Sequence, residues 1–376
     1  MNPIYLDNNA TTPVDPQVFD AMLPFLKEHF GNPSCSHAYG VVTRKAVDKA
    51  RRQVAQLLGC SGDELIFTSG GSESNNTAIK GLAEANCKKG THIITSAVEH
   101  PAVSEVCRYL ESHGFQVTTV PCDSNGRVDP EAVRTAITPQ TILISVMHAN
   151  NEVGTLQPIA EIATIAHEHD VLVHSDCAQS IGKVTVRVDD LGVDLLSLAG
   201  HKLYAPKGIG ALYVRKGVKL EKLIHGAAHE QNRRAGTENV TGIVGLGMAC
   251  ELIAKESASD HARIRNLRDT LEQELQKHLP QIKINGHPEK RLPNTSSVSF
   301  PNIKANELLN RLEGVAASAG AACHSDGIRV STVLQAMAVP LEFAMGTVRF
   351  SLGRFTTPEE IQQATTEIIT AVRELM

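Results

Sequence analysis

Short apolar runs alternate with stretches of helical periodicity over the first two-thirds of the chain, and this alternation limits the fold more than any other feature. Leu65–Thr68, His92–Thr95, Gln116–Val120, Thr141–Met147, Val171–His174, Leu195–Leu198 and Ala211–Val214 read as strands. Val42–Leu58, Ser72–Ala85, Ala102–Ser112, Pro130–Ile137 and Ile159–Glu168 read as helices. Strand–helix–strand units close right-handed with parallel strands. The pattern therefore predicts an α/β fold with a mostly parallel seven-stranded sheet between two helix layers. A long helical stretch, Val240 to His278, leads out of this unit. Short strands at Lys283–Asn285, Ser296–Phe300 and Thr347–Leu352, with helices at Asn306–Glu313 and Pro358–Leu375, predict a smaller α+β domain. The expected division is 15–255 for the large domain and 1–14 with 256–376 for the small one. A chain of 376 residues can bury two such cores.

Sheets of this kind bind ligands beyond the carboxyl ends of their strands. Asp176 ends one apolar run and is followed by Gln179; Lys202 follows another, Asp194 to Ala199. Lysine is an unusual choice beside a buried strand unless its amine has a task there. A desolvated amine loses its proton more readily and attacks carbonyls. Pyridoxal phosphate (PLP) needs such a lysine for a Schiff base and an acid to keep its ring nitrogen protonated. Asp176 and Lys202 suit those roles, although a surface lysine and an ordinary strand-end aspartate explain the pair alone equally well.

Composition narrows the remaining classes. A formal net charge of −5 leaves no basic excess for a polyanion, so nucleic acid is not an expected partner. No apolar run is long enough to span a bilayer, and the start, "MNPIYLDNNATTP", lacks the basic and apolar blocks of a signal peptide. A cytoplasmic location is expected. The eight cysteines are scattered without a Cys-x-x-Cys pair, which argues for reduced thiols. His225 and His229 have no third ligand nearby in sequence, and His167 and His169 would not share a helix face, so no metal is expected.

Four further segments carry candidate chemistry. "FTSGGSESNN" reads strand, turn, helix; Gly70 and Gly71 allow close approach, and Ser72 opens a helix whose free N–H groups suit a phosphate or a simple N-cap. It lacks the dinucleotide pattern Gly-x-Gly-x-x-Gly. His100 stands between a strand and a Pro-started helix, where an imidazole can lie over a planar ring or serve structure alone. Asn150, Asn151 and Glu152 end another strand and suit either ligand orientation or turn chemistry. Cys323 sits in a run of Gly, Ala and Ser, "SAGAACHSDG", that reads as a flexible loop; a small buried thiol is the alternative.

These segments, in this order, resemble the cysteine desulfurases of the NifS/IscS-like group within the class V aminotransferase family of fold-type I PLP enzymes. The likeness runs from "YLDNNATTP" through "SDCAQSIGK", "GHKLYAPKGIGALYVR" and "RRAGTENV" to "VRFSLGRFTTPEEI". It implies an aspartate-aminotransferase-like fold. It also implies that Lys202 bonds PLP, Asp176 pairs with the ring nitrogen, and His100 stacks on the ring and assists proton transfer. Gln179 and Asn151 would contact the ring hydroxyl region, with Asn151 also near the substrate. Gly71, Ser72 and His201 would hold the phosphate, joined by Thr237 of a second subunit in a homodimer. Arg349 would clamp the substrate carboxylate, and Cys323 would attack the sulfur of L-cysteine, take it as a persulfide and release alanine. An acceptor protein would then receive the sulfur, for iron–sulfur cluster assembly or thiolation.

Two positions depart from the family pattern. Ala199 stands where a Ser or Thr commonly contacts the phosphate, and the cysteine segment reads Gly-Ala-Ala-Cys-His. Both are similar to selenocysteine lyases, so L-selenocysteine is the alternative substrate. A non-catalytic sulfur-binding scaffold is the alternative from another class.

Overall fold

The computed structural model describes residues 3–255, 258–324 and 327–376, with the backbone alone described at 258, 321–324 and 327–329. Its centre is a seven-stranded sheet in the spatial order Leu65–Thr68, Gly210–Val214, Leu195–Ala199, Leu172–Asp176, Thr141–Ser145, His92–Ser96 and Gln116–Val120. Gly210–Val214 runs antiparallel to both neighbours, and the other pairs are parallel. The expected mostly parallel α/β sheet is therefore present. Each of the five central strands is almost wholly buried, as a sheet covered on both faces requires.

Helices cover the two faces with separate apolar sets. On one, Val47, Val54 and Leu58 of Ala38–Leu58 and Ile243 and Leu246 of Val240–Lys255 pack with Ile159 and Ile162 against Val173, Leu196 and Leu198. On the other, Ile79 and Leu82 of Gly71–Asn86 meet Val103, Val106 and Leu110 of Pro101–Glu111 over Ile93, Leu143 and Leu195. Burying one such aliphatic side chain contributes roughly 1.5–3 kcal/mol, so these two layers dominate the stability of the sheet.

The C-terminal third forms a four-stranded antiparallel sheet in the order Ser318–Ala319, Thr347–Ser351, Thr295–Ser299 and Lys283–Asn285. Its core joins Leu267, Leu271 and Leu275 of Ala258–His278 to Val298, Phe300, Val348 and Phe350, with Ile361 and Ile368 of Pro358–Leu375. The N-terminal segment packs with these strands: Ile4–Tyr5 pairs parallel with Val315–Ala316, and Ile4 and Leu6 enter the same core.

Several expectations need correction. The strand expected to run to Met147 ends at Ser145: the Val146 N–H still bonds the His174 carbonyl, but the Met147 N–H is taken by the Glu99 carboxyl. The helical stretch expected from Val240 to His278 is helical over Val240–Lys255 and Ala258–His278, with 256 and 257 outside the described residues. Pro16–Lys27, capped by the Asp15 side chain, is a helix that periodicity did not reveal. The expected loop around Cys323 is a hairpin: Ala321–His324 pairs antiparallel with Gly327–Val330, Cys323 opposite Ile328. The Cys323 side chain lies outside what is described.

Candidate active site

Where the strands ending at Asp176 and Ala199 open toward the N-terminal segment lies a cavity of about 480 Å³. Lys202, Asp176, His100, Gln179 and Asn151 line it, as do Gly71, Ser72, His201 and Arg349. Nine of the eleven residues to which the family resemblance gives a role thus share one space. Thr237 does not; it lines a separate cleft with Ser69, Arg234 and Asn239. Cys323 is the other exception, its side chain being undescribed.

Asp176 is the last residue of its strand and is buried. One carboxylate oxygen accepts from Asn75 Nδ2 at 2.7 Å and the other from the Ala178 N–H at 2.9 Å. These two donors fix the plane of the carboxylate, and each oxygen keeps a lone pair for a further donor. Asn75 was missed from sequence. Its place one turn into the helix after Gly71 was visible in "SGGSESNN", but its contact with a strand a hundred residues away was not.

Lys202 stands in the short turn Gly200–Lys202 after its strand. Its Nζ donates to the carbonyl oxygens of Asn9 and Ala10, the latter at 2.7 Å. Burial pushes the amine down to about 8; Arg349 acts in the same direction, while Asp7 and Asp176 oppose it. An amine so placed reaches its neutral, nucleophilic form far more easily than an exposed lysine near 10.4.

His100 caps the helix Pro101–Glu111, its Nδ1 accepting from the Ala102 N–H at 3.1 Å. That bond assigns Nδ1 as acceptor and puts the proton of the neutral ring on Nε2. Loss of solvent lowers the imidazole's pKa, Asp176 opposes and Lys202 adds to the lowering. Beside it, Glu99 is fully sequestered. Its Oε1 accepts from Ser96 Oγ at 2.6 Å and Met147 N at 2.8 Å, and burial raises the carboxyl to about 8.

The helix Gly71–Asn86 points its N-terminus at the cavity, and its first N–H groups have no intrahelical acceptor. Gly70 takes φ +152°, which favours glycine, and a Cβ at Gly210 would lie 2.7 Å from Gly70 Cα and 2.5 Å from the Leu198 carbonyl oxygen. The two glycines let the helix start sit directly on the sheet edge. Ala199 lines the cavity beside Gly71, whose added Cβ would come within 3.3 Å of Ala199 Cβ, so this wall offers no hydroxyl.

Arg349 is held from two sides. Nη2 donates to Asp7 Oδ1 at 2.7 Å and Nη1 to the Asn151 carbonyl oxygen at 3.0 Å. Asp7 also accepts from Ser318 Oγ at 2.8 Å. A fork fixed in this way still has N–H groups to offer a second carboxylate. Asn150 follows the turn-chemistry reading instead: Oδ1 accepts from Glu152 N and Val153 N, and Nδ2 donates to the Val98 carbonyl. The adjacent Glu152 receives Ser331 Oγ at 2.5 Å, and the Ser331 N–H bonds Gly320 O at the foot of the Cys323 hairpin. The hairpin therefore springs from the rim that holds Asn151 and Arg349.

Chemically, the cavity wall brings together an acid, a helix start with His201 that suits an anion, an easily deprotonated amine and a guanidinium. That set suits a flat phosphorylated aldehyde and a carboxylate-bearing amine substrate.

The chain is similar to known proteins over nearly its full length. A cysteine desulfurase IscS from Dictyoglomus turgidum is 51% identical over 360 residues, 95% of this chain and 91% of its own. One from Methanosarcina thermophila is 49% identical, covering 99% of this chain and 92% of its own. Among solved structures, a NifS-like protein superposes with a TM-score of 0.94 at 39% identity, covering 99% of this chain and 100% of its own. The structure titled "SspA in complex with cysteine" follows with a TM-score of 0.82 at 38% identity, covering 94% and 99%. The family model for "Aminotransferase class-V" matches residues 4–364, and the chain belongs to that family.

Proposed function

We propose that this protein is a PLP-dependent cysteine desulfurase that converts L-cysteine to L-alanine and passes the sulfur through Cys323. The observation that carries the reading is the shared cavity of Lys202 and Asp176, an amine of lowered proton affinity and an oriented carboxylate. PLP, when bound, supplies an electron sink that makes the α-proton of an amino acid acidic. The chain's own residues do the rest. Lys202 would hold the cofactor's aldehyde, and its amine of lowered proton affinity would take and return a proton. Asp176, fixed by Asn75 and Ala178, holds the ring nitrogen's proton. His100 lines the same cavity and would flank the ring, with its Nε2 the atom available for proton exchange. The helix start at Gly71 and Ser72, with His201, takes the phosphate, and Gln179 and Asn151 contact the ring hydroxyl side. Arg349 takes the substrate carboxylate.

The overall transfer balances without an added oxidant. The carbon–sulfur bond of L-cysteine breaks and a sulfur–sulfur bond forms on the Cys323 thiolate. The carbon fragment gains a proton and leaves as alanine. Thiol reductant or an acceptor protein then removes the terminal sulfur.

Two coarser features complete the proposal. The division is 15–255 for the cofactor domain and 1–14 with 256–376 for the small one. The functional unit is a homodimer in which Thr237 reaches the partner's phosphate site. An exposed patch supports this: Phe30 is 79% and Leu26 64% exposed, with Phe30 stacked on the exposed Tyr39. No helix among the described residues is long and apolar enough to cross a membrane. A cytoplasmic enzyme acting on free amino acids fits that.

The test is product analysis of PLP-loaded protein with L-cysteine and with L-selenocysteine, each with thiol reductant. Alanine and sulfide in equal amounts from L-cysteine, lost in Cys323→Ala, is the expected result. Turnover of L-selenocysteine alone transfers the reading to a selenocysteine lyase. No alanine from either substrate overturns it.

A further inference from the structure

Lys183, four residues beyond Gln179, has no part in the scheme above, yet it reaches into the same network. Its Nζ donates to Gln179 Oε1 at 2.7 Å and to Asn9 Oδ1 at 2.9 Å. Gln179 Nε2 in turn donates to the Asn9 backbone carbonyl at 2.9 Å. Both bonds constrain the amide in the same sense. Charged or neutral, Lys183 has N–H groups for both oxygens, which suits Oε1 facing it; the Asn9 carbonyl can only accept, so Nε2 must face Asn9. A flipped amide would lose the Asn9 bond and set one carbonyl oxygen against another. The second N–H of Nε2 is then the polar hydrogen Gln179 has left to offer the cavity it lines.

Asn9 is itself fixed on all sides. It is buried, its Nδ2 donates to Asn151 O and Thr295 Oγ1, its N–H to Ser351 Oγ, and Asn294 Nδ2 shares the Oδ1 with Lys183. Lys183 is thus anchored to a rigid point while it grips Gln179. Burial, reinforced by Lys202 and Arg349, drives the Lys183 amine well below the ordinary lysine range. No carboxylate among the described residues bonds it, so keeping an amine there is costly unless its donors are used.

We propose that Lys183 is a positioning residue that locks the Gln179 amide with its N–H, rather than its carbonyl, toward the ring hydroxyl of bound PLP. The inference rests on the PLP reading of the cavity. An N–H aimed at the ring's phenolic oxygen stabilises the anionic oxygen. It thereby lowers the pH at which the bound cofactor's chromophore gives up its proton. Other groups act on the same region: Asp7, Asp176, Lys202 and Arg349 on the cavity side, with His100 and His201 at its walls. Behind Lys183 stand His261 and Arg354, the latter paired with Asp15. These stay in place when Lys183 is changed, so they cancel in a comparison of variants.

The experiment is a pH titration of the visible absorption band of PLP-loaded protein for wild type, Lys183→Met, Gln179→Ala and the double variant. Each single substitution is expected to raise the midpoint by about one pH unit. The double variant is expected to match Gln179→Ala, because Lys183 acts through that amide. Additive shifts, or an unmoved midpoint in folded, coloured Lys183→Met, overturn the proposal. Should Lys183→Met not fold, Lys183→Gln, which keeps an amide donor, serves in its place and is expected to give a smaller shift of the same sign. Protein that never turns yellow with PLP contradicts the cofactor reading instead.

Discussion

Lys202 and Glu99 both carry proton affinities displaced by burial, in opposite chemical senses. Only the neutral amine of Lys202 attacks an aldehyde, and burial lowers it to about 8. PLP uptake by the apoprotein should accelerate as pH rises through about 8 and level off above it. Stopped-flow absorbance reads the profile, and a rise continuing toward 10 would refute the lowered amine. Glu99 is raised from 4.5 to about 8, so the folded protein holds a proton that the unfolded chain has lost over that range. The contribution of Glu99 to stability therefore falls as pH rises from about 4.5 to 8. Glu99→Gln should flatten this slope in denaturant melts, and an unchanged slope would remove Glu99 as its source. Arg349, gripped by Asp7 and Asn151, is expected to act on binding. Arg349→Ala should raise KM for L-cysteine by roughly tenfold or more with a smaller change in kcat, since a charge-assisted bond contributes about 1.5–3 kcal/mol. A change confined to kcat would contradict the clamp.

At the scale of elements, the junction of the Gly210–Val214 strand with the start of the Gly71–Asn86 helix is a close approach beside the cavity. Gly210→Ala would drive a methyl into the Leu198 carbonyl and Gly70 Cα. It should destabilise the protein by about 1–3 kcal/mol and weaken PLP binding together, because the helix start is displaced. Calorimetry with a PLP titration reads both; lost affinity without lost stability would contradict the coupling. This junction also marks what the sequence made legible. The strand at Leu65–Thr68 and the helix Pro358–Leu375 were readable to the residue because alternation, caps and turn glycines agree there. The helix Pro16–Lys27 was not, since Pro24 interrupts it and only Val18 is buried, which leaves little periodic signal. The Cys323 hairpin was read as a loop because Gly, Ala and Ser carry no strand preference; cross-strand pairing alone defines it. Asp176 and Lys202 were legible because acid and amine interrupt apolar runs. Asn75, Asn9 and Lys183 were not, since their roles depend on partners far away in the chain.

Over the whole molecule, the N-terminal segment ties the two cores together at the cavity. Asn9 bonds Thr295, Asn294 and Ser351 of the smaller unit and Asn151, Gln179, Lys183 and Lys202 of the larger one. Asp7 does the same through Arg349 and Ser318. Motion of one unit against the other would therefore be felt at the amine and at the guanidinium together. The central claim, however, concerns one amine: borohydride reduction of PLP-loaded protein followed by peptide mass mapping tests it most directly. The account predicts a single phosphopyridoxyl label on the peptide containing Lys202, absent in Lys202→Ala. A label on Lys183 or another lysine, or none at all, would contradict it.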